Sequence, residues 1–308
     1  MNYQSDHFEF PVRQCGCLAA KLLSNDAIGK VSAIFDSSFY VELDNGLVCI
    51  GVKDLSLSPL NVIIAAPEST NWSASGLCLN SKVSIFSGFI RIGAQFSFRL
   101  AGAAEWKPKP VPATWENANL KQGLAVFREQ CIGRIPHEGL GQILYYDTSS
   151  FDDQSLCKIT EILIRELRDW LVPALRDPDS RSMHGLQWVH HLIGLGPGLT
   201  PSGDDFIGGM MIALHSLGEL EICQQLWMPT RRCAIEADNP IALAHLNAAS
   251  EGLGSLGVHD ALSAILEGCP RNIEKTLIVL DSIGHTSGWD AMAGVIVTFD
   301  AWLEAHRH

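Results

Sequence analysis

Two short stretches concentrate the residues whose types and spacing could do chemistry. The first, Gly194-Leu195-Gly196-Pro197-Gly198-Leu199-Thr200-Pro201-Ser202-Gly203-Asp204-Asp205, sets four glycines, two prolines and two adjacent carboxylates between apolar segments. Glycine is required where φ is positive or where a ligand must approach the backbone, and a helix starting near Ser202 would offer N–H groups and a positive dipole end to an anion. The second stretch, Ser287-Gly288-Trp289-Asp290-Ala291-Met292-Ala293-Gly294, repeats the frame S-G-x-D-x-x-x-G of Ser202 to Gly209, and an apolar helical pattern follows each copy.

The repeat makes Asp205 and Asp290 equivalent and leaves Asp204, at the position of Trp289, as an extra charge. A glycine at the eighth place lets another backbone come close, so two such helices could cross with their N-termini lining one pocket. On this reading Asp205, Asp290 and His285 are the candidate catalytic residues, carboxylates serving as general acid and base and the histidine donating to an anion. Gly196, Gly198, Thr200, Ser202, Gly203, Thr286, Ser287 and Gly288 are the candidate substrate-binding residues. Asp204 and Asp205 are candidate ligands for Mg²⁺, a hard cation that takes carboxylate oxygens. The bland alternative is that Ser202 caps the helix, Asp205 answers it as in a capping box, and each Asp complements a helix dipole. His190 and His191 point about 100° apart on a helix, so both cannot easily face one ligand.

Known phosphate and nucleophile motifs do not fit. There is no G-x-x-x-x-G-K-[ST], the sixth residue of a G-x-G-x-x-G frame from Gly194 is Leu199, and Ser202 lies in no G-x-S-x-G elbow.

The strings G-L-G-P-G-L-T-P-S-G-D-D-F and G-H-T-S-G-W-D-x-x-A-G resemble a bacterial family typified by the AllH subunit associated with oxamate carbamoyltransferase. They cover a small part of the chain but are far more specific than a lone glycine motif. The resemblance implies a multisubunit carbamoyltransferase of purine and allantoin nitrogen catabolism, interconverting oxalurate and phosphate with oxamate and carbamoyl phosphate. It implies partner subunits and small anionic substrates suited to helix N-termini. The S-T-R-T-type phosphate motif of the aspartate and ornithine carbamoyltransferases is absent, so homology to those enzymes is not implied.

The elements that must position these residues change character along the chain. From about Lys30 to Leu100 short strands alternate, most clearly where Phe39, Val41 and Leu43 flank Tyr40 and Glu42, and Asp44-Asn45-Gly46 predicts a hairpin whose turn residues tolerate positive φ at low cost. Trp106 to Pro112 carries three prolines and must be extended. Beyond it Ile159, Ile162, Leu163, Leu167, Trp170 and Leu171 form a helical stripe ending at Pro173. Further helices are expected over 117–130, 183–192, 202–217, 219–227, 242–251, 259–266, 273–280 and 287–305. The fold expected is α+β: a small β-barrel or sandwich over residues 1–105, a Pro-rich linker over 106–116, and a mostly α-helical domain over 117–308.

With 308 residues, 47% hydrophobic and 18% charged, the chain can bury a sizeable core. Its 22 basic against 34 acidic residues, a net charge of −12, exclude the basic surface a nucleic-acid binder needs. The most apolar run, Phe206 to Leu214, is too short to span a bilayer. The N-terminus shows no basic-then-apolar signal pattern, and nine scattered cysteines suit a reducing compartment, so a soluble cytoplasmic protein, with homo-oligomers allowed, is expected. Three functions stay open: a carbamoyltransferase subunit with an anion pocket, a noncatalytic assembly subunit, and a stand-alone Mg²⁺-dependent hydrolase of a small phosphorylated or amide substrate.

Overall fold

The computed structural model describes residues 7–52, 55–67, 69–145, 155–181 and 185–307. The chain divides into two compact units, Met1–Pro108 and Lys109–His308.

The first unit is built from strands β1 (Phe8–Gly16), β2 (Ala27–Ile34), β3 (Ser38–Leu43), β4 (Gly46–Gly51), β5 (Asn61–Ile64), β6 (Lys82–Phe86), β7 (Phe89–Ile92), β8 (Phe96–Arg99) and β9 (Ala104–Trp106), with one helix, α1 (Cys17–Leu23). The strand order is β5-β4-β3-β2-β6-β7-β8-β1-β9, and pairing of β1 with β5 closes the first eight into a barrel, settling the choice between barrel and sandwich. Alternation buries one face: Phe39, Val41, Ile90 and Phe98 are wholly inside, and Phe39 meets Trp72 edge-on at 4.9 Å between ring centroids.

One local expectation here needs correction. Strands begin at Phe8 rather than near Lys30, because β1 pairs in parallel with β8 over Phe8–Pro11, where Pro11 had made the segment look unlike a strand. The β3–β4 hairpin forms with Leu43 opposite Gly46, but neither Asp44 nor Asn45 has positive φ; that conformation appears instead at Ser87 and Gly88, joining β6 to β7.

The second unit is helical: α2 (Asn117–Gln130), α3 (Ser155–Arg176), α4 (Val189–Leu192), α5 (Ser202–Leu217), α6 (Leu220–Glu236), α7 (Pro240–Ser250), α8 (Leu256–Glu267), α9 (Pro270–Leu280) and α10 (Ser287–Ala305), with a 3₁₀ stretch over Leu140–Tyr145. Helices α5 and α10 lie against each other at its centre, apolar on nearly all sides as a fully enclosed helix must be. Val111 and Trp115 pack on the helical core, so part of the segment expected as linker belongs to this unit.

Prolines mislead at both ends of helices. Helix α3 continues through Pro173 to Arg176 and α6 through Pro229 to Glu236, where the sequence predicts stops at Pro173 and Trp227. Buried neighbours (Leu171, Ala174 and Leu175 in α3; Leu226, Thr230 and Cys233 in α6) outweigh the single backbone bond each proline removes. Conversely α7 and α9 start at Pro240 and Pro270, which suit the first helical position, earlier than the expected starts at residues 242 and 273. Helix α8 begins at Leu256, not His259. Of the helix expected over 183–192, α4 covers only the end; Met183 and His184 lie outside the described residues, as do Met1 to Asp6 of the N-terminal reading and the side chain of Ile159.

Candidate functional site

The turn into α5 is shaped by glycine. Gly194, Gly196 and Gly198 have φ of 79°, 109° and 96°, and a Cβ on Gly196 would stand 3.0 Å from the Ser202 nitrogen. Gly203 packs on the Leu192 carbonyl that ends α4, and Gly288, its equivalent in α10, packs on the Leu280 carbonyl that ends α9. Ser202 is not the cap expected from the sequence. Pro201 takes that place, its carbonyl accepting from the amides of Asp204 (2.9 Å) and Asp205 (3.1 Å), and Ser202 becomes the first helical residue.

The supply of free amides is smaller than the sequence suggests. Gly203 donates to Leu195 O at 2.9 Å, and Gly288 donates to Ile283 O at 3.2 Å. Among the described residues, the first-residue amides of Ser202 and Ser287 are left without a backbone acceptor.

The structure brings the two copies together with an internal two-fold correspondence. A Cβ on Gly209 would fall 1.9 Å from the Ala291 carbonyl, and one on Gly294 would fall 1.9 Å from the Phe206 carbonyl; Phe206 and Ala291 hold equivalent places in the frame. The hydroxyls of Thr200 and Ser287 meet at 3.0 Å. The serines also act across the pair: the Ser287 hydroxyl favours the charged form of Asp205, and that of Ser202 favours the charged form of Asp290.

The three carboxyls sit in different settings. Burial raises the pKa of Asp204 to about 6, against the Gly194 N–H that donates to its Oδ1 at 2.7 Å. Burial pushes Asp205 well above the ordinary carboxylate range; the charges of Asp290 and Asp204 push the same way, and the Ser287 and Thr200 hydroxyls oppose them. Burial also raises Asp290, although its Oδ1 accepts the amides of Leu140 (2.6 Å) and Gly141 (2.9 Å). Oδ2 of Asp205 and Oδ2 of Asp290 are both enclosed and without a hydrogen-bond partner.

From Ser202 to Leu214 every residue of α5 is buried except Asp205, and from Gly288 to Phe299 every residue of α10 is buried except Ala291. A deep carboxyl whose pKa is raised can, when protonated, donate its proton to a substrate atom, and in that form it places no full negative charge beside an anion.

The other sequence candidates take lesser places. Gly196 and Gly198 are exposed in the loop, Thr286 immediately precedes α10, and His285 is exposed in the turn before it. Asp204 and Asp205 are adjacent on the helix, their directions about 100° apart, and Asp204 spends one oxygen on the Gly194 amide. Among the described residues no three His, Cys, Asp or Glu side chains gather to hold a metal. His190, on α4, lies 3.2 Å from the Cys233 sulfur.

Sequence reasoning missed Gly139, Leu140 and Gly141, the strand of backbone that covers Asp290. The signal was present: Gly139 has φ of 84°, and a Cβ there would strike Asp290 Oδ1 at 2.5 Å. Two glycines bracketing a leucine leave room for two amides to reach one carboxylate oxygen.

Fold and site together define an α+β protein with a closed β-barrel unit and a helical unit whose paired glycine-rich helix starts enclose a carboxyl cluster. A family model described as oxamate carbamoyltransferase subunit AllH matches residues 192–299, a stretch that contains both copies of the motif. No solved structure matches the chain. Among the described residues, no helix is long and apolar enough to cross a membrane.

Proposed function

We propose that this chain is a subunit of an oxamate carbamoyltransferase-like complex, exchanging the carbamoyl group between oxalurate/oxamate and phosphate/carbamoyl phosphate, and that the paired helix starts at Asp205 and Asp290 take a small anionic substrate. The observation that carries the reading is the setting of Asp205, a carboxyl raised by burial and met by the Ser287 and Thr200 hydroxyls where the two helix starts come together. The first-residue amides of α5 and α10 are the donors for the anion. Asp205 holds the proton that the oxamate nitrogen needs when the carbamoyl group leaves it, and Asp290, fixed by the Leu140 and Gly141 amides, keeps that proton in place by like-charge repulsion.

A second reading, an assembly role, is favoured by the backbone contacts at Gly209 and Gly294, which make the motifs a helix-packing device. The test is phosphate-dependent breakdown of oxalurate by the chain purified with its partner subunits. Asp205→Asn is expected to lower kcat by about 10²-fold or more, the usual contribution of a general acid, with thermal stability retained. Loss of stability and of partner binding in parallel with activity supports assembly instead, and full activity in the variant sinks the catalytic reading.

A further inference from the structure

Strands β3, β2, β6 and β7 stand side by side in the barrel wall, and their registers align two rows of residues on its outer side. In one row Lys30 is opposite Glu42 on β3 and Lys82 on β6, and Gly93, just past β7, donates its amide to the Lys82 carbonyl at 3.0 Å. In the other, Ile28 is opposite Ser84, Ser84 is opposite Arg91, and the amide of Asp44 reaches the Ile28 carbonyl at 3.1 Å. The two rows line a hollow of about 870 Å³ that lies wholly within the first unit.

Charge in this hollow is sorted by strand. Both carboxylates, Glu42 and Asp44, stand on the β3 side, and Glu42 is taken up by Lys30 at 3.2 Å. Lys82 and Arg91, on β6 and β7, are exposed, and among the described residues neither has a carboxylate at ion-pair distance. A solvated sheet face sets opposite signs across from each other, as Lys30 and Glu42 are. Lys82 instead faces Lys30, a like-charge pair that costs stability, in a chain whose 34 acidic residues outnumber 22 basic ones. Beside Lys82 the space is left open, since Gly93 has φ of 57° and a Cβ there would meet nothing within 4 Å. Arg91 lies 5.4 Å from the centre of the Phe89 ring, a contact that steadies its planar fork.

We propose that this hollow binds a small organic phosphate, at a site separate from the paired helix starts. The Arg91 fork takes two phosphate oxygens, Lys82 supplies a point charge, the Ser84 hydroxyl donates, and Ile28, 64% exposed, carries the apolar part of the ligand. Cations gathered against one group suit a dianion better than a single carboxylate, and a dianion relieves the repulsion between Lys30 and Lys82. Asp44 stands three strand spacings from Arg91, about 14 Å. Physiological salt screens exposed charges beyond about 8 Å, so Asp44 does not oppose the ligand.

The test is calorimetry of phenyl phosphate, benzoate and inorganic phosphate against the full chain. Phenyl phosphate is expected to bind most tightly, and Lys82→Ala combined with Arg91→Ala to weaken it at least about tenfold. Both side chains are exposed, so the double variant keeps its fold. Ile28→Ser should weaken phenyl phosphate about fivefold and leave inorganic phosphate unchanged. The helix starts are intact in every variant, so any heat that comes from them stays constant across the series. No binding of phenyl phosphate to wild type, or equal binding to the double variant, overturns the site. Benzoate bound as tightly as phenyl phosphate overturns the assignment to a phosphate, and inorganic phosphate bound as tightly overturns the role of Ile28.

Discussion

Gly208 and Gly209 are adjacent on α5, and their replacement by alanine should have opposite signs. In an isolated helix either change gains about 1 kcal/mol, since glycine is the more disordered residue when unfolded. At Gly208 the new methyl would meet only the Ala249 methyl at 3.6 Å, an ordinary contact. Gly208→Ala should therefore raise the melting temperature by about 2–4 °C for a unit of this size. At Gly209 the methyl would lie 1.9 Å from the Ala291 carbonyl oxygen. Reaching a normal C–H···O separation of about 3.3 Å requires α10 to retreat by about 1.4 Å. That is backbone against backbone, with no rotamer to absorb it, so the cost belongs at the upper end of overpacking, about 3 kcal/mol, of which helix propensity returns about 1. The net of about 2 kcal/mol should lower the melting temperature by about 4–8 °C. Thermal unfolding followed by far-ultraviolet circular dichroism on both variants decides it. A Gly209→Ala protein as stable as Gly208→Ala would show that the helices are not in backbone contact and would undo the account of the motif's eighth residue.

Gly294→Ala should cost about as much as Gly209→Ala, and the double variant less than the sum, because helices already parted by one methyl have room for the other. Gly139→Ala, which combines a φ of 84° with a Cβ 2.5 Å from Asp290 Oδ1, should cost at least about 2 kcal/mol in chemical denaturation and lower activity with it; a neutral outcome would mean that the 139–141 backbone does not hold Asp290. Asp204, raised from 3.8 to about 6, binds its proton more tightly folded than unfolded. Its contribution is complete below pH 3.8, declines as pH rises through about 6, and is absent above. Over that window wild type should lose about 3 kcal/mol relative to Asp204→Asn; parallel pH profiles of the two proteins would refute the raised pKa.

The order of strands then helices was legible because period-2 and period-3.6 patterns occupy different parts of the chain, and the starts of α2, α5 and α10 were legible from their local residues. Proline was the least reliable signal. Pro173 and Pro229 read as stops and are helical, since burial of their neighbours is a tertiary fact no local rule contains. The S-G-x-D-x-x-x-G repeat was visible, but its chemistry was misassigned within each copy. A local reading pairs Ser202 with Asp205 as a cap, whereas Pro201 caps the helix and the Ser202 hydroxyl acts on Asp290. Only a contact between the two copies, Ser202 with Asp290, reveals that exchange, and nothing in either copy alone encodes it.

The exchange also explains why the motif comes twice. Each copy supplies a serine to the other's aspartate and a bare glycine backbone to the other's fifth residue, so one copy by itself has neither its hydroxyl nor its contact. Contact between backbones fixes the interval between the helices more tightly than side-chain packing would, since main-chain atoms have no rotamers to adjust. The separation of Asp205 from Asp290, and with it the repulsion that adds to burial in raising Asp205, is set by Gly209 and Gly294 rather than by the carboxyls. A methyl at either glycine should thus weaken that repulsion and bring the Asp205 pKa down as well as loosen the fold, so that the alkaline limb of the pH–activity profile, where Asp205 loses its proton, moves to lower pH in Gly294→Ala while Gly208→Ala leaves it unmoved.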